Sequence, residues 1–298
     1  MGFFFLVSGM LHKEADKIPW KKYLRTLIVP AIFFNILLWI LEAPFWYSGL
    51  WNYSARFNIT MPGTMADLFS VTGKNTVKAF LLGGKYHACS GPCWFLIALF
   101  VCKIATDLIK RYGKIALFLS ICAFIFLTFW RHNFLFLGSS FMALPFFLVG
   151  VYGKDCIHHV CKKNVYSALG VVGFAAMLFL ANLNGQVSMY GVSFGKNYPK
   201  IVSMILFYVT AFMGSLSLLT FFAMFKKTYP IVTSLATSLI TVLGFQLFFI
   251  YIGWYMIDTI HSNIWVSILL SIPILFLCFC AHVVIKSFFP FFLGIRNA

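Results

Sequence analysis

The sequence predicts an all-α fold: a polytopic transmembrane helical bundle of about nine segments. Two observations predict it. Of the 298 residues, 61% are hydrophobic and only 10% are charged, whereas a soluble domain carries about a quarter charged residues. Several apolar stretches also reach the roughly 20 residues that a helix needs to cross about 30 Å of hydrocarbon at about 1.5 Å per residue. The period-2 alternation of a membrane barrel is missing.

The elements follow in order. The chain opens on an apolar run from Phe3 to Leu11 that ends at His12 and Lys13. As a helix, its first eleven residues would span only about 16 Å, too little for a complete crossing. It is not a signal peptide, because there the basic residues precede the apolar run. Eight full apolar segments follow, near 26–46, 93–109, 115–130, 134–152, 165–183, 200–225, 232–257 and 263–286. No internal repeat interrupts them, so residues 1–298 are expected to form a single membrane-embedded domain.

Charge orients the segments. The net charge is +16, from 23 Lys and Arg against seven Asp and Glu. Loops 12–25, 110–114, 153–164, 226–231 and the C-terminal tail hold fifteen of the basic residues; the alternate loops hold seven. Basic loops face the cytoplasm. The tail is therefore expected inside, the loops 47–92 and 184–200 outside, and the opening run is read as travelling inward. The same distribution argues against a nucleic-acid partner, because the cations lie in short turns between spans and not on one face. The expected partner is the lipid bilayer, and the expected location is the plasma (inner) membrane of a bacterium, crossed many times. The oligomeric state is not legible.

Chemically useful residues are few. Glu42 sits near the outer end of its span beside Pro44 and Trp46, where a carboxylate is costly unless it faces a polar cavity. Lys103 and Asp107 are four apart on one helix face and can pair with each other. The stretch Cys156-Ile157-His158-His159-Val160-Cys161 crowds four ligand types into six residues, unlike the spacing of a zinc site, so no metal is expected. Cys89 and Cys93 lie on the expected outer side, where a disulfide is chemically allowed. His12 and His282 read as interface residues near the inner ends of their helices. Lys22 and Arg25, three apart, share a helix face and suit phosphate groups; an ordinary cytoplasmic anchor explains them equally.

Several stretches together resemble a known family. FFFLVSGMLHK followed by WKKYLRTLIVPAIFFN, then GPCWFLIALFV, then LPFFLVGVYGKD, resembles acyltransferase family 3 in motif content and order over nearly the whole chain. NLNGQVSMYGVSFGKNY, followed by a span with MGSLSLL, is similar to its fucose 4-O-acetylase-like branch. The resemblance implies ten helices and transfer of an acyl group, usually acetyl, from acetyl-CoA (a co-substrate) to a hydroxyl of a cell-surface or lipid-linked carbohydrate. It implies that Lys22 and Arg25 bind the CoA phosphates, and that Ser8 and Trp94 line the site. Glu42 and Gln246 are added as acceptor-side candidates from their positions. The family's Arg and base His belong to a helix expected before Met1, and Gln246 stands where the family places a further His. Gln can hydrogen-bond but cannot accept a proton at neutral pH. The catalytic base is therefore unassigned, and little activity is expected from these residues alone. Two other readings are a flippase or transporter of lipid-linked saccharides and a non-catalytic partner of a complete acyltransferase.

Overall fold

A computed structural model of the chain describes residues 1–13, 18–48, 64–82, 91–130, 133–162, 165–185, 187–195, 197–223, 230–257 and 264–293. The described chain is helical without a sheet strand. Its helices are α1 (Gly2–Met10), α2 (Trp20–Tyr23), α3 (Val29–Tyr47), α4 (Met65–Leu82), α5 (Trp94–Tyr112), α6 (Lys114–Trp130), α7 (Leu137–Tyr152), α8 (Lys154–Lys162), α9 (Val165–Asn184), α10 (Lys200–Ala223), α11 (Pro230–Thr237), α12 (Leu239–Ile257) and α13 (Ile264–Phe288). Among the described residues, five segments are long and apolar enough to cross a membrane: Trp20–Tyr47, Gly91–Tyr112, Phe134–Tyr152, Lys200–Ala223 and Leu269–Phe288. Shorter apolar helices cover Lys114–Thr128, Gly170–Asn184 and Leu239–Ile252. Large apolar side chains such as Ile32, Ile36, Ile40, Phe118, Phe126, Ile272 and Phe276 face outward along these helices. Exposed apolar side chains in such number suit lipid and not water. The protein is a multi-pass membrane protein.

Within the described residues all eight expected segments are helical, with three refinements. The loop 47–92 contains α4, which packs on α3; Trp39 Nε1 donates to the Phe69 carbonyl at 3.0 Å. The loop 153–164 contains α8. The segment 232–257 is two helices, α11 and α12, divided at the fully buried Ser238.

The chain groups into two compact units: Met1–Ile18 with Val101–Thr228, and Pro19–Phe100 with Tyr229–Ala298. In the first unit, α1 packs on both α7 and α10. Its contact with α7 depends on two glycines. A Cβ on Gly9 would collide with the Phe147 carbonyl oxygen, and one on Gly150 would collide with the Leu6 carbonyl oxygen. Lipid tails are as apolar as leucine, so helices in a membrane associate through close packing of small residues. The Ser-Gly of the opening run and the Phe-Phe-x-x-Gly of α7 are the two halves of one such contact. The Phe146 ring lies against Gly2 of α1 and meets Phe207, Tyr208 and Phe212 of α10, and α9 packs on α10.

The polar groups around Asn133 are satisfied internally. Asn133 donates through Nδ2 to the Tyr190 carbonyl at 2.6 Å, and its Oδ1 accepts from the Ser139 amide at 3.0 Å. Ser139 Oγ donates to the Met189 carbonyl at 2.7 Å. The Phe136 and Tyr190 rings stack. Burial in this cover pushes the Tyr190 phenol up to about 12, so it stays neutral.

The second unit has its core where α3, α12 and α13 meet: Phe34, Leu38, Trp46, Phe245, Phe248 and Cys278. The Leu24–Ile28 turn is a π-helix, in which the Val29 amide donates to Leu24, five residues back. Pro30 follows directly. A proline has no N–H and its ring crowds the carbonyl four residues earlier; widening the preceding turn relieves that clash. A short 3-10 turn, Pro290–Leu293, returns the chain after α13 onto α3.

Substituting Gly150→Val is expected to lower unfolding free energy by about 1–3 kcal/mol through overpacking, read as a lower thermal midpoint in detergent. Gly191→Ala is the control: its added carbon would meet nothing nearer than Ser188 Oγ at 3.6 Å, and its effect is expected below about 0.5 kcal/mol.

Candidate functional site

The first unit carries a buried acid–imidazole pair. His12 Nε2 and Asp107 Oδ1 are 3.0 Å apart, and the two side chains are only 4% and 9% exposed. The pair is built by local geometry. The last turn of α1 closes with the His12 amide donating to the Gly9 carbonyl at 3.0 Å. Gly9 is the residue pressed onto Phe147, and the Phe147 ring meets the His12 ring edge-on, with centroids 5.5 Å apart. Asp107 lies on α5. A carboxylate that accepts from Nε2–H holds the imidazole in one tautomer and leaves Nδ1 as the proton-accepting atom. Asp107, which the sequence offered to Lys103, turns an oxygen to His12.

The same unit holds a pocket of about 350 Å³ whose walls include Phe3, Asn184, Phe207, Thr210 and Ser215. Asn184 is fixed there: its Nδ2 donates to the Ser203 carbonyl at 2.9 Å, and its Oδ1 accepts from Ser203 Oγ at 2.6 Å. Ser8 is half-buried on α1.

The second unit holds the remaining expected residues. Lys22 is exposed on α2. Arg25 lies in the π turn, half-buried, with its guanidinium 5.1 Å above the centroid of the Phe291 ring. The two cations therefore differ in role: one is solvated, and the other is stationed on an aromatic face, an arrangement that favours arginine over lysine. Glu42 is buried, 3% exposed, and Trp94 is buried, 5% exposed. Gln246 is half-buried between Phe245 and Phe248 on α12. The elements bearing Glu42 and Gln246 pack on each other, and both pack on the Gly91–Cys93 turn that precedes Trp94. Seventeen residues along one helical segment put Glu42 about 25 Å from Arg25, so the structure does not bring these two together. Among the described residues no three His, Cys, Asp or Glu side chains gather to hold a metal. Cys93 is buried and is a free thiol; Cys89 lies outside the described residues.

The fold and the site define a polytopic helical membrane protein with a buried His–Asp pair. The chain belongs to acyltransferase family 3: that family's acyltransferase-domain model matches residues 1–285, a span that includes the opening Ser-Gly, the Lys-x-x-Arg turn and the Phe-Phe-x-x-Gly segment. No curated relative and no solved structure matches the chain.

A double-mutant cycle with His12→Ala and Asp107→Ala is expected to give a coupling energy of about 1 kcal/mol or more, read from chemical unfolding. Additive effects would show that the pair does not form.

Proposed function

We propose that this acyltransferase moves an acyl group, acetyl in the simplest case, from an acyl-CoA thioester to a hydroxyl of a cell-surface or lipid-linked carbohydrate. The observation that carries this reading is the buried His12–Asp107 pair within a chain of this family, because a sugar hydroxyl needs a base before it can attack a thioester. The donor class rests on the family resemblance together with Lys22 and Arg25. Their stretch belongs to the loop 12–25, whose excess of cations favours a cytoplasmic location, the compartment that contains acyl-CoA.

In this mechanism Asp107 keeps the His12 imidazole oriented, and Nδ1 accepts the hydroxyl proton. The hydroxyl oxygen forms the new ester bond to the acyl carbon. The carbon–sulfur bond breaks, and the proton leaves with the thiolate sulfur. Arg25, held by Phe291, and Lys22 counter the donor's phosphate charge. Acceptor-side roles are proposed for Ser8 in the first unit and for Glu42, Trp94 and Gln246 in the second, with Glu42 and Gln246 hydrogen-bonding sugar hydroxyls and Trp94 offering an aromatic face. On this reading His12, read from its position in the sequence as an interface residue, is the base.

The test is transfer of radiolabelled acetyl from acetyl-CoA by the purified chain to a panel of oligosaccharides. His12→Gln is expected to lower the rate of transfer about 100-fold or more with donor binding retained. Arg25→Met is expected to weaken donor binding about tenfold. Transfer unchanged in His12→Gln would overturn the assignment of the base.

A further inference from the structure

A second polar pocket lies in the second unit. It has a volume of about 400 Å³ and is walled by α11 and the last turns of α13, with Ser234, Thr237, Phe279, His282, Lys286 and Ser287 in its lining. Neither the family match nor the acyl-transfer reading gives it a role. Its composition is specific. Among the described residues no acidic side chain lines it. Lys286 and Ser287 are exposed at its mouth, and His282 lies deeper, only 5% exposed.

His282 is the informative residue. Its Nδ1 is 2.9 Å from Thr241 Oγ1 on α12. When Thr241 donates that hydrogen bond, the ring proton resides on Nε2, so His282, which lines the pocket, has a donor to offer. Thr237 spends its hydroxyl proton on the Ser234 carbonyl at 2.7 Å, so it contributes shape and not a donor. The pocket's donors are thus the Lys286 ammonium, the Ser287 and Ser234 hydroxyls and His282 Nε2. A lysine point charge with several neutral donors and no acceptor charge is the chemistry that holds a phosphate group. A buried imidazole fixed on one side by a threonine costs conformational freedom and desolvation; a solvated helix end needs neither.

We propose that this pocket is a phosphate-binding site, with Lys286 as the charge partner and His282, Ser287 and Ser234 as neutral donors. Two sources offer that group: a nucleotide phosphate or the headgroup of an anionic lipid. The site does not rest on the acyl-transfer reading.

The experiment uses the full chain in phosphatidylcholine nanodiscs. One arm titrates adenosine 3′,5′-bisphosphate by calorimetry. Because the bisphosphate is also the nucleotide part of acyl-CoA, this titration is run in a Lys22→Met/Arg25→Met background, in which the donor site proposed above does not contribute. The other measures retention of phosphatidylglycerol against phosphatidylcholine by native mass spectrometry. Lys286→Met is expected to weaken whichever probe binds by about tenfold, and Ser287→Asp to weaken it further by repulsion. Both positions are exposed, so folding is not at stake. Lys114→Met, at the exposed start of α6, is the control. Loss confined to the bisphosphate assigns a nucleotide phosphate; loss confined to phosphatidylglycerol assigns a lipid headgroup. If the chain with Lys286 intact binds neither probe, or if Lys286→Met and Lys114→Met bind both alike, the proposal is overturned.

Discussion

The first unit depends on the backbone contact between Gly9 and Gly150. In a bilayer no hydrophobic force draws two apolar helices together, so α1 and α7 must gain from close packing. The two glycines allow it, since any side chain at either position would strike the facing carbonyl. The same contact fixes chemistry. Phe147 presses its carbonyl on Gly9 and its ring edge on His12, so the end of α1 has little freedom. The imidazole is delivered to Asp107 as a consequence of packing.

The second unit solves a different problem. A helix entering its apolar stretch through Pro30 must adjust the turn before it, and the π turn at Leu24–Ile28 is that adjustment. Arg25 sits in the widened turn, and the returning Pro290–Leu293 segment supplies the ring beneath it. The cationic end of the Trp20–Tyr47 segment and its Glu42 end are therefore specialised separately. The pocket at Lys286 follows in sequence directly before that returning segment, so polar features of α13 and the turn after it lie close along the chain.

Much of this architecture was legible in the residues. Segment lengths gave every apolar helix, because the bilayer imposes a length that sequence shows directly. The motif order gave the family. The Ser-Gly and Phe-Phe-x-x-Gly stretches were both visible, yet nothing in one dimension shows that they touch. The His12–Asp107 pair was hidden for the same reason: 95 positions separate the partners, and a spacing argument reaches only neighbouring turns. Spacing offers Asp107 only Lys103, four residues away, as a partner. Helix α4 was missed although a signal was present. Thr64 and Asp67 form a capping pair, with the Asp67 amide donating to Thr64 Oγ1 at 3.2 Å, the arrangement that a Ser or Thr followed three residues later by an acid announces. Its mixed composition, with Lys74 and Lys78, kept it below a membrane threshold. The break at Ser238 had no punctuating glycine or proline to reveal it.

The central claim is that packing of α1 on α7 orients His12 against Asp107 with Nδ1 left to accept a proton. Nitrogen-15 NMR of the chain labelled at histidine, with His12 assigned by comparison with His12→Gln, tests it most directly. The account predicts a proton on Nε2 and a bare Nδ1, with that tautomer preference lost in Asp107→Ala. A bare Nε2, or a His12 signal indifferent to removal of Asp107, would contradict it.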